Sequence, residues 1–228
     1  MSDVSGVDEC APRAPRAEPL IATLLGLLVV GALAHFAPSY RVAIAAAAAL
    51  AFSWATTRSP LADLGIRWPE RPGRLVFVAL LLAIAMNAFG RTFLWPLLYQ
   101  VFGQRDLSYL GHIRGNLDVV LRLMPLIWLS AALCEEIVYR GFLQQRLERL
   151  FGKSSVGNMA AIALTSAVFA ANHAVQGTSG VIQTFIVSCV FGWIFIRSRH
   201  NLVLLILMHG AWDTFSVIVM YLALNWAV

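Results

Sequence analysis

The chain has 228 residues, 59% hydrophobic and 13% charged, with a mean hydropathy of +0.73. A soluble domain carries about 25% charged residues, so a soluble globular fold is excluded, and so is a disordered chain, which would be more polar still. The net charge of +5 comes from sixteen Arg and one Lys against twelve acids; no basic block interleaved with aromatics is present to grip nucleic acid, so the excess reads as loop orientation in a membrane.

Continuous apolar runs, rather than the alternating segments of a β-barrel, predict an all-α, polytopic transmembrane helical bundle. Residues 1–18 are polar and rich in Pro, and read as a disordered tail; residues 19–228 read as one transmembrane domain. The first run is Leu20–Ala37. It contains an Ala-x-Ala triplet at Ala32–Ala34, but four acids and two Arg precede it, a poor start for a cleaved signal, so it reads as a span. The second run is Val42–Thr57, and the third is Leu75–Val101, interrupted by Arg91. The polar and mixed stretch Gln104–Met124 reads as an interfacial helix or an eighth span. The fourth span is expected to start at Pro125, since proline suits the first helical position, and to end near Leu147. Val156–His173, Val181–Ile196 and Asn201–Trp226 complete a count of seven or eight spans.

With the N-terminus inside, the inner segments hold Arg13, Arg16, Arg58, Arg67, Arg71, Arg74, Arg146, Arg149, Lys153, Arg197 and Arg199, and the outer ones only Arg41, Arg105 and Arg114. This asymmetry predicts a cytoplasmic N-terminus. Arg91 and Arg122 lie within reach of span ends and are expected to snorkel; His35, at the end of the first run, is expected at the interface. Cys10, Cys134 and Cys189 show no disulfide or zinc spacing and read as small apolar side chains.

Ionisable groups in hydrocarbon cost about 2.5–3.5 kcal/mol each on insertion scales and so need a reason. Glu135, Glu136 and Arg140 lie on the fourth span, His173 on the fifth, His209 and Asp213 on the seventh. At about 1.5 Å rise per residue, Glu135, His209 and Asp213 fall roughly 15, 12 and 18 Å into their spans, and His173 about 22 Å. Burying these groups against one another is the cheap arrangement. Glu136 and Arg140, four apart, share a face and can pair. Asp213, four after His209, can fix the imidazole and leave its other nitrogen for chemistry. Glu135 points elsewhere and could take a proton from water as a general base.

Other chemistries stay open on these residues alone. A buried polar network that locks helix register is the structural alternative. Glu135, His173, His209 and Asp213 are each acceptable zinc ligands, although no H-E-x-x-H is present and no cofactor is expected. A proton- or metal-coupled transporter could use the same groups, but no internal repeat accompanies them. Gly177-Thr178-Ser179-Gly180 resembles the nucleophile loop of rhomboid-type proteases, which would leave both Glu unexplained.

Glu135-Glu136-Ile137-Val138-Tyr139-Arg140 is E-E-x-x-x-R, Phe169-Ala170-Ala171-Asn172-His173 is F-x-x-x-H, and His209-Gly210-Ala211-Trp212-Asp213 is H-x-x-x-D. In this order they resemble the CAAX-protease and bacteriocin-processing (CPBP, or ABI) family of intramembrane proteases over about residues 125–220, with Leu61–Trp68 a looser match. The resemblance implies peptide-bond hydrolysis without a covalent intermediate. Glu135 would activate water with help from His173, while His209 and Asp213 would stabilise the oxyanion and Glu136 and Arg140 would shape the site. The last position is commonly Asn in the family; an ionised Asp213 only accepts hydrogen bonds, so it would orient His209 or bind a metal instead. The expected partners are a peptide or protein substrate and the lipid bilayer. The Arg- and Ala-rich composition suggests a bacterial plasma membrane. A non-catalytic scaffold or immunity protein is the other reading that the family leaves open.

Overall fold

The apolar runs fold into helices, and the described residues contain no strand. The computed structural model describes residues 20–36, 41–152 and 154–222. The tail at 1–18 with Cys10, the side chain of His35, Lys153 and the end of the last apolar run lie outside the described residues.

Seven apolar helices carry the described fold. They are α1 (Leu20–Phe36), α2 (Arg41–Thr56), α3 (Pro72–Phe102), α4 (Leu117–Phe151), α5 (Ser155–Ala171), α6 (Ala174–Arg197) and α7 (Leu202–Tyr221). Of these, α3, α4, α6 and α7 are long and apolar enough to cross a membrane; α1, α2 and α5 are shorter apolar helices. Starts are set by local chemistry. Asn116, Ser154 and Asn201 accept a backbone N–H of the first turn of α4, α5 and α7, which satisfies a donor the helix itself cannot.

The segment Gln104–Met124 is not an eighth span. Ser108–Ile113 is a 3-10 turn, and the residues from Leu117 onward are already α4. Pro125 therefore lies inside a 35-residue helix and does not open one. Proline removes an N–H and crowds the preceding turn. Two residues beyond it the helix widens into i→i+5 bonding over Ile127–Glu135, and again over Ile137–Gln144. A third widened segment, Gly90–Leu94, precedes Pro96 in α3. Such π segments are rare and often mark functional sites.

The helix α4 is the central element: α2, α5, α6 and α7 all pack on it, α3 packs on α7, and α1 packs on α2. Phe142, Phe195, Leu205 and Met208 fill the core between them. One end of the bundle is closed by charge. Asp63 Oδ2 accepts from Arg146 Nη2 at 2.9 Å and from Ser53 Oγ at 3.0 Å, and its Oδ1 accepts from Arg149 Nη2 at 2.6 Å. The Gly65 carbonyl accepts from Leu202 N at 2.9 Å, tying the same end to the start of α7. Gly65 has φ +84° and lies against the His200 carbonyl, so no side chain fits there.

Burial alone would raise the Asp63 carboxyl, but Arg146 and Arg149 more than offset it and hold the group below the usual carboxylate range. A depressed folded-state value means that the unfolded chain binds the proton more readily. The Asp63 contribution is thus fully present above the unfolded value of about 4 and is lost as pH falls through the folded value. Asp63→Asn removes the carboxylate oxygen that lies 2.9 Å from Nη2 of the fully buried Arg146. It should lower stability by about 3 kcal/mol, measured as a fall in thermal midpoint in detergent at pH 7. The deficit relative to wild type should shrink only below about pH 4.

Candidate active site

Glu135 and Glu136 stand at the middle of α4, at the junction of its two widened segments. Glu136 is fully buried and paired on two sides. Its Oε1 accepts from Arg140 Nη1 at 3.0 Å and lies 2.7 Å from His209 Nδ1 on α7. Arg140 also donates through Nη2 to Ser188 Oγ on α6 at 2.9 Å, and its guanidinium lies over the rings of Phe169 and Phe191, 5.0 and 5.4 Å from their centroids. Four helices therefore meet through one buried ion pair.

The polar line continues along α4. Gln144 Nε2 donates to Glu148 Oε1 at 2.9 Å and to the Gly192 carbonyl at 3.1 Å, and Glu148 Oε2 lies 2.8 Å from His200 Nε2. Polar side chains four apart on α4 thus form two hydrogen-bonded pairs, Glu136–Arg140 and Gln144–Glu148, between the middle of the bundle and its charged end.

His209 faces the other acids with its second nitrogen. Nε2 is 3.6 Å from Asp213 Oδ2 and 3.9 Å from Glu135 Oε2. Neither is a hydrogen-bond length, so Glu136, not Asp213, fixes the imidazole. The spacing His209–Asp213 suggested the opposite, because a helix-local partner is visible in sequence and a cross-helix one is not. Close helix contact makes this possible: Gly210 presents no side chain where the Trp128 ring of α4 lies against α7.

His173 does not sit within a span. It follows the end of α5, in the turn that leads into α6. Its Nδ1 donates to the Phe169 carbonyl at 2.9 Å, since a carbonyl can only accept, which leaves Nε2 free to accept. Its ring lies against Phe169, with centroids 4.8 Å apart.

Glu135, Arg140, His173, His209 and Asp213 all line one cavity of about 520 Å³. Another part of its wall comes from segments that the motifs did not include. Arg105, in the loop after α3, donates through Nε to Gln176 Oε1 at 3.0 Å and through Nη1 to Gln183 Oε1 at 3.3 Å. Arg91 points into the same cavity and donates to Asn87 Oδ1 at 2.6 Å, so it does not snorkel. Arg122 does lie in the open, paired with Asp118 at 2.9 Å. The sequence signal for this wall was weak: Gln176 and Gln183, seven apart, form a polar stripe on an otherwise apolar helix face. Ser179, of the Gly177–Gly180 quartet, is fully buried and is not among the residues lining the cavity. Among the described residues, no three His, Cys, Asp or Glu side chains converge as metal ligands.

Residues 118–215 match the family described as type II CAAX prenyl endopeptidase Rce1-like. This is the CAAX-protease family that the three motifs resemble, and it is one of endopeptidases. The matched stretch contains Glu135, Glu136, Arg140, His173, His209 and Asp213, whereas Arg91 and Arg105 lie before it. No curated protein and no solved structure matches the chain. The apolar helices and the CAAX-protease match together make this an integral membrane protein.

Arg140→Met strips the buried Glu136 carboxylate of its cation and should cost about 3–5 kcal/mol. Ser188→Ala removes one charged hydrogen bond and should cost about 1.5–3 kcal/mol. Thermal unfolding of the purified variants in one detergent checks the order: Arg140→Met unfolding no earlier than Ser188→Ala would contradict it.

Proposed function

We propose that the protein is an intramembrane endopeptidase that hydrolyses a peptide bond with water activated by Glu135. The observation that carries this reading is the approach of Glu135 and Asp213 to one nitrogen of His209 within a cavity among membrane helices. Glu135 takes a proton from water as the oxygen attacks the carbonyl carbon. His173 Nε2 is available to accept a hydrogen bond from the other O–H of the water and orient the nucleophile. His209, held by Glu136 through Nδ1, presents Nε2–H to the developing oxyanion. The tetrahedral intermediate then collapses, the C–N bond breaks, and Glu135 returns its proton to the leaving amine. An ionised Asp213 can accept a hydrogen bond but not donate one, so it takes one from a substrate N–H while His209 serves the oxyanion. The buried Glu136–Arg140 pair sets the position and charge of His209.

In the proposed topology all seven apolar helices cross a bacterial plasma membrane with the N-terminus in the cytoplasm. The loop 103–116 and the 172–176 turn then lie on the outer side, and so does the end of the cavity lined by Leu107, Tyr109 and Arg114. The charged cluster around Asp63 lies on the inner side, with most of the basic residues. Cysteines placed singly at Tyr109 and Arg67, in a background lacking the native cysteines, should react with a membrane-impermeant thiol reagent from outside and from inside respectively; the reverse pattern would invert the topology.

The activity test is cleavage of a peptide pool by purified protein in lipid. Glu135→Gln should reduce cleavage by at least ~100-fold, and a tight chelator should leave the wild type unchanged. Loss to the chelator with rescue by zinc would move the four candidate ligands to a metal site. Biological function that survives Glu135→Gln would favour a scaffold, and ion flux in proteoliposomes a transporter.

A further inference from the structure

Among the described residues, Arg105 has no carboxylate hydrogen-bonded or ion-paired to it at the wall of the cavity. The Gln176 and Gln183 side-chain oxygens that hold it are neutral, and among the described residues its Nη2 donates to nothing. The acid next to it is engaged elsewhere: Asp106 accepts from Ser108 N at 2.9 Å and from Ser108 Oγ at 2.6 Å. Asp213, on the same cavity, is a carboxylate whose charge reaches Arg105, but among the described residues the two form no ion pair. Burial pulls the guanidinium below its usual range, opposed by Tyr109, Tyr99 and Asp213. It remains charged, because an arginine does not lose its proton in a protein.

The guanidinium is also held in place before any ligand arrives. Gln176 donates Nε2 to Tyr109 Oη at 3.0 Å, which turns its oxygen toward Arg105, and the Gln176 carbonyl accepts from Asp106 N at 3.0 Å. Gly180 leaves room for the arginine stem to lie against α6, where a side chain would meet Arg105 Cγ at 3.3 Å. A fixed planar fork with spare N–H groups facing a water-accessible cavity is the arrangement that binds a carboxylate with two parallel hydrogen bonds.

We propose that Arg105 anchors a carboxylate of the substrate, in the cavity that Glu135 also lines, and so selects acidic peptides or free C-termini. This rests on the peptidase reading for its meaning, but its test does not need turnover. Four otherwise matched hexapeptide pools serve as probes: free C-terminal acids, C-terminal amides, and amides carrying an internal Glu or an internal Gln. Binding is measured to full-length Glu135→Gln protein in lipid nanodiscs, with and without Arg105→Gln or Arg105→Lys.

One carboxylate-bearing pool should bind about 10- to 100-fold tighter than its neutral counterpart, the value of a charge-assisted hydrogen bond. Acid over amide identifies a terminal carboxylate, and Glu over Gln a side chain. Arg105→Gln should bring that ratio to about one, and Arg105→Lys should restore part of it, since a point charge lacks the fork. No preference with Arg105 present, or a preference that persists in Arg105→Gln, overturns the proposal. Cleavage of the same pools by the protein with Glu135 intact is scored separately, so loss of the peptidase reading is distinguishable from loss of the carboxylate anchor.

Discussion

A carboxylate and a guanidinium placed in the middle of an apolar bundle must find each other or not be there at all. Glu136 and Arg140 are both almost fully buried, and each would be prohibitive alone. Their pairing makes the neighbouring arrangement follow. Arg140 reaches Ser188 on α6 and the ring of Phe169 on α5, while Glu136 takes His209 on α7. The ion pair thus fixes three helices around α4, and with them the direction of the imidazole that looks into the cavity. Its contribution is better understood as specificity of arrangement than as net stability, because apolar residues of equal volume would pack there at no greater cost.

Geometry along α4 is set by a backbone constraint of a different kind. Pro125 cannot donate, and the i→i+5 register that begins at Ile127 extends through the two glutamates. In α3 the order is reversed: a widened turn, in which Gly90 accommodates the Trp95 ring, comes before Pro96. Both irregularities border the cavity, which Trp95, Ile127 and Ala131 help to line. A regular helix would present α4 side chains in a different rotation, so the position of Glu135 beside His209 depends on this widening as well as on the ion pair.

The two walls of the cavity differ in chemistry and in how far they could be anticipated. The wall built by Glu135, His209 and Asp213 comes from spacings within apolar runs, where an ionisable residue is conspicuous. The wall around Arg105 uses a loop residue that looks like an ordinary orientation charge until the structure folds it onto Gln176 and Gln183. Arg91 was misleading for a related reason. Its position near a span end permits snorkelling, yet Asn87, one turn earlier, offers an acceptor that turns it inward.

Composition and periodicity alone determined the class of this protein, because hydrocarbon imposes one rule on every segment: a backbone that satisfies its own hydrogen bonds and a surface without charge. They also determined which residues were out of place, since Glu135, Glu136, Arg140, His209 and Asp213 interrupt otherwise apolar runs, and the i,i+4 pairing of Glu136 with Arg140 is local geometry that a helix guarantees. Tertiary structure decided which group holds His209, that His173 sits in a turn and not in a helix, that α4 begins at Leu117 and passes through Pro125, and that Arg105 belongs to the cavity. Each of these depends on contacts between segments far apart in the chain or on how a helix absorbs a missing N–H, and neither is written in the spacing of residues along one run.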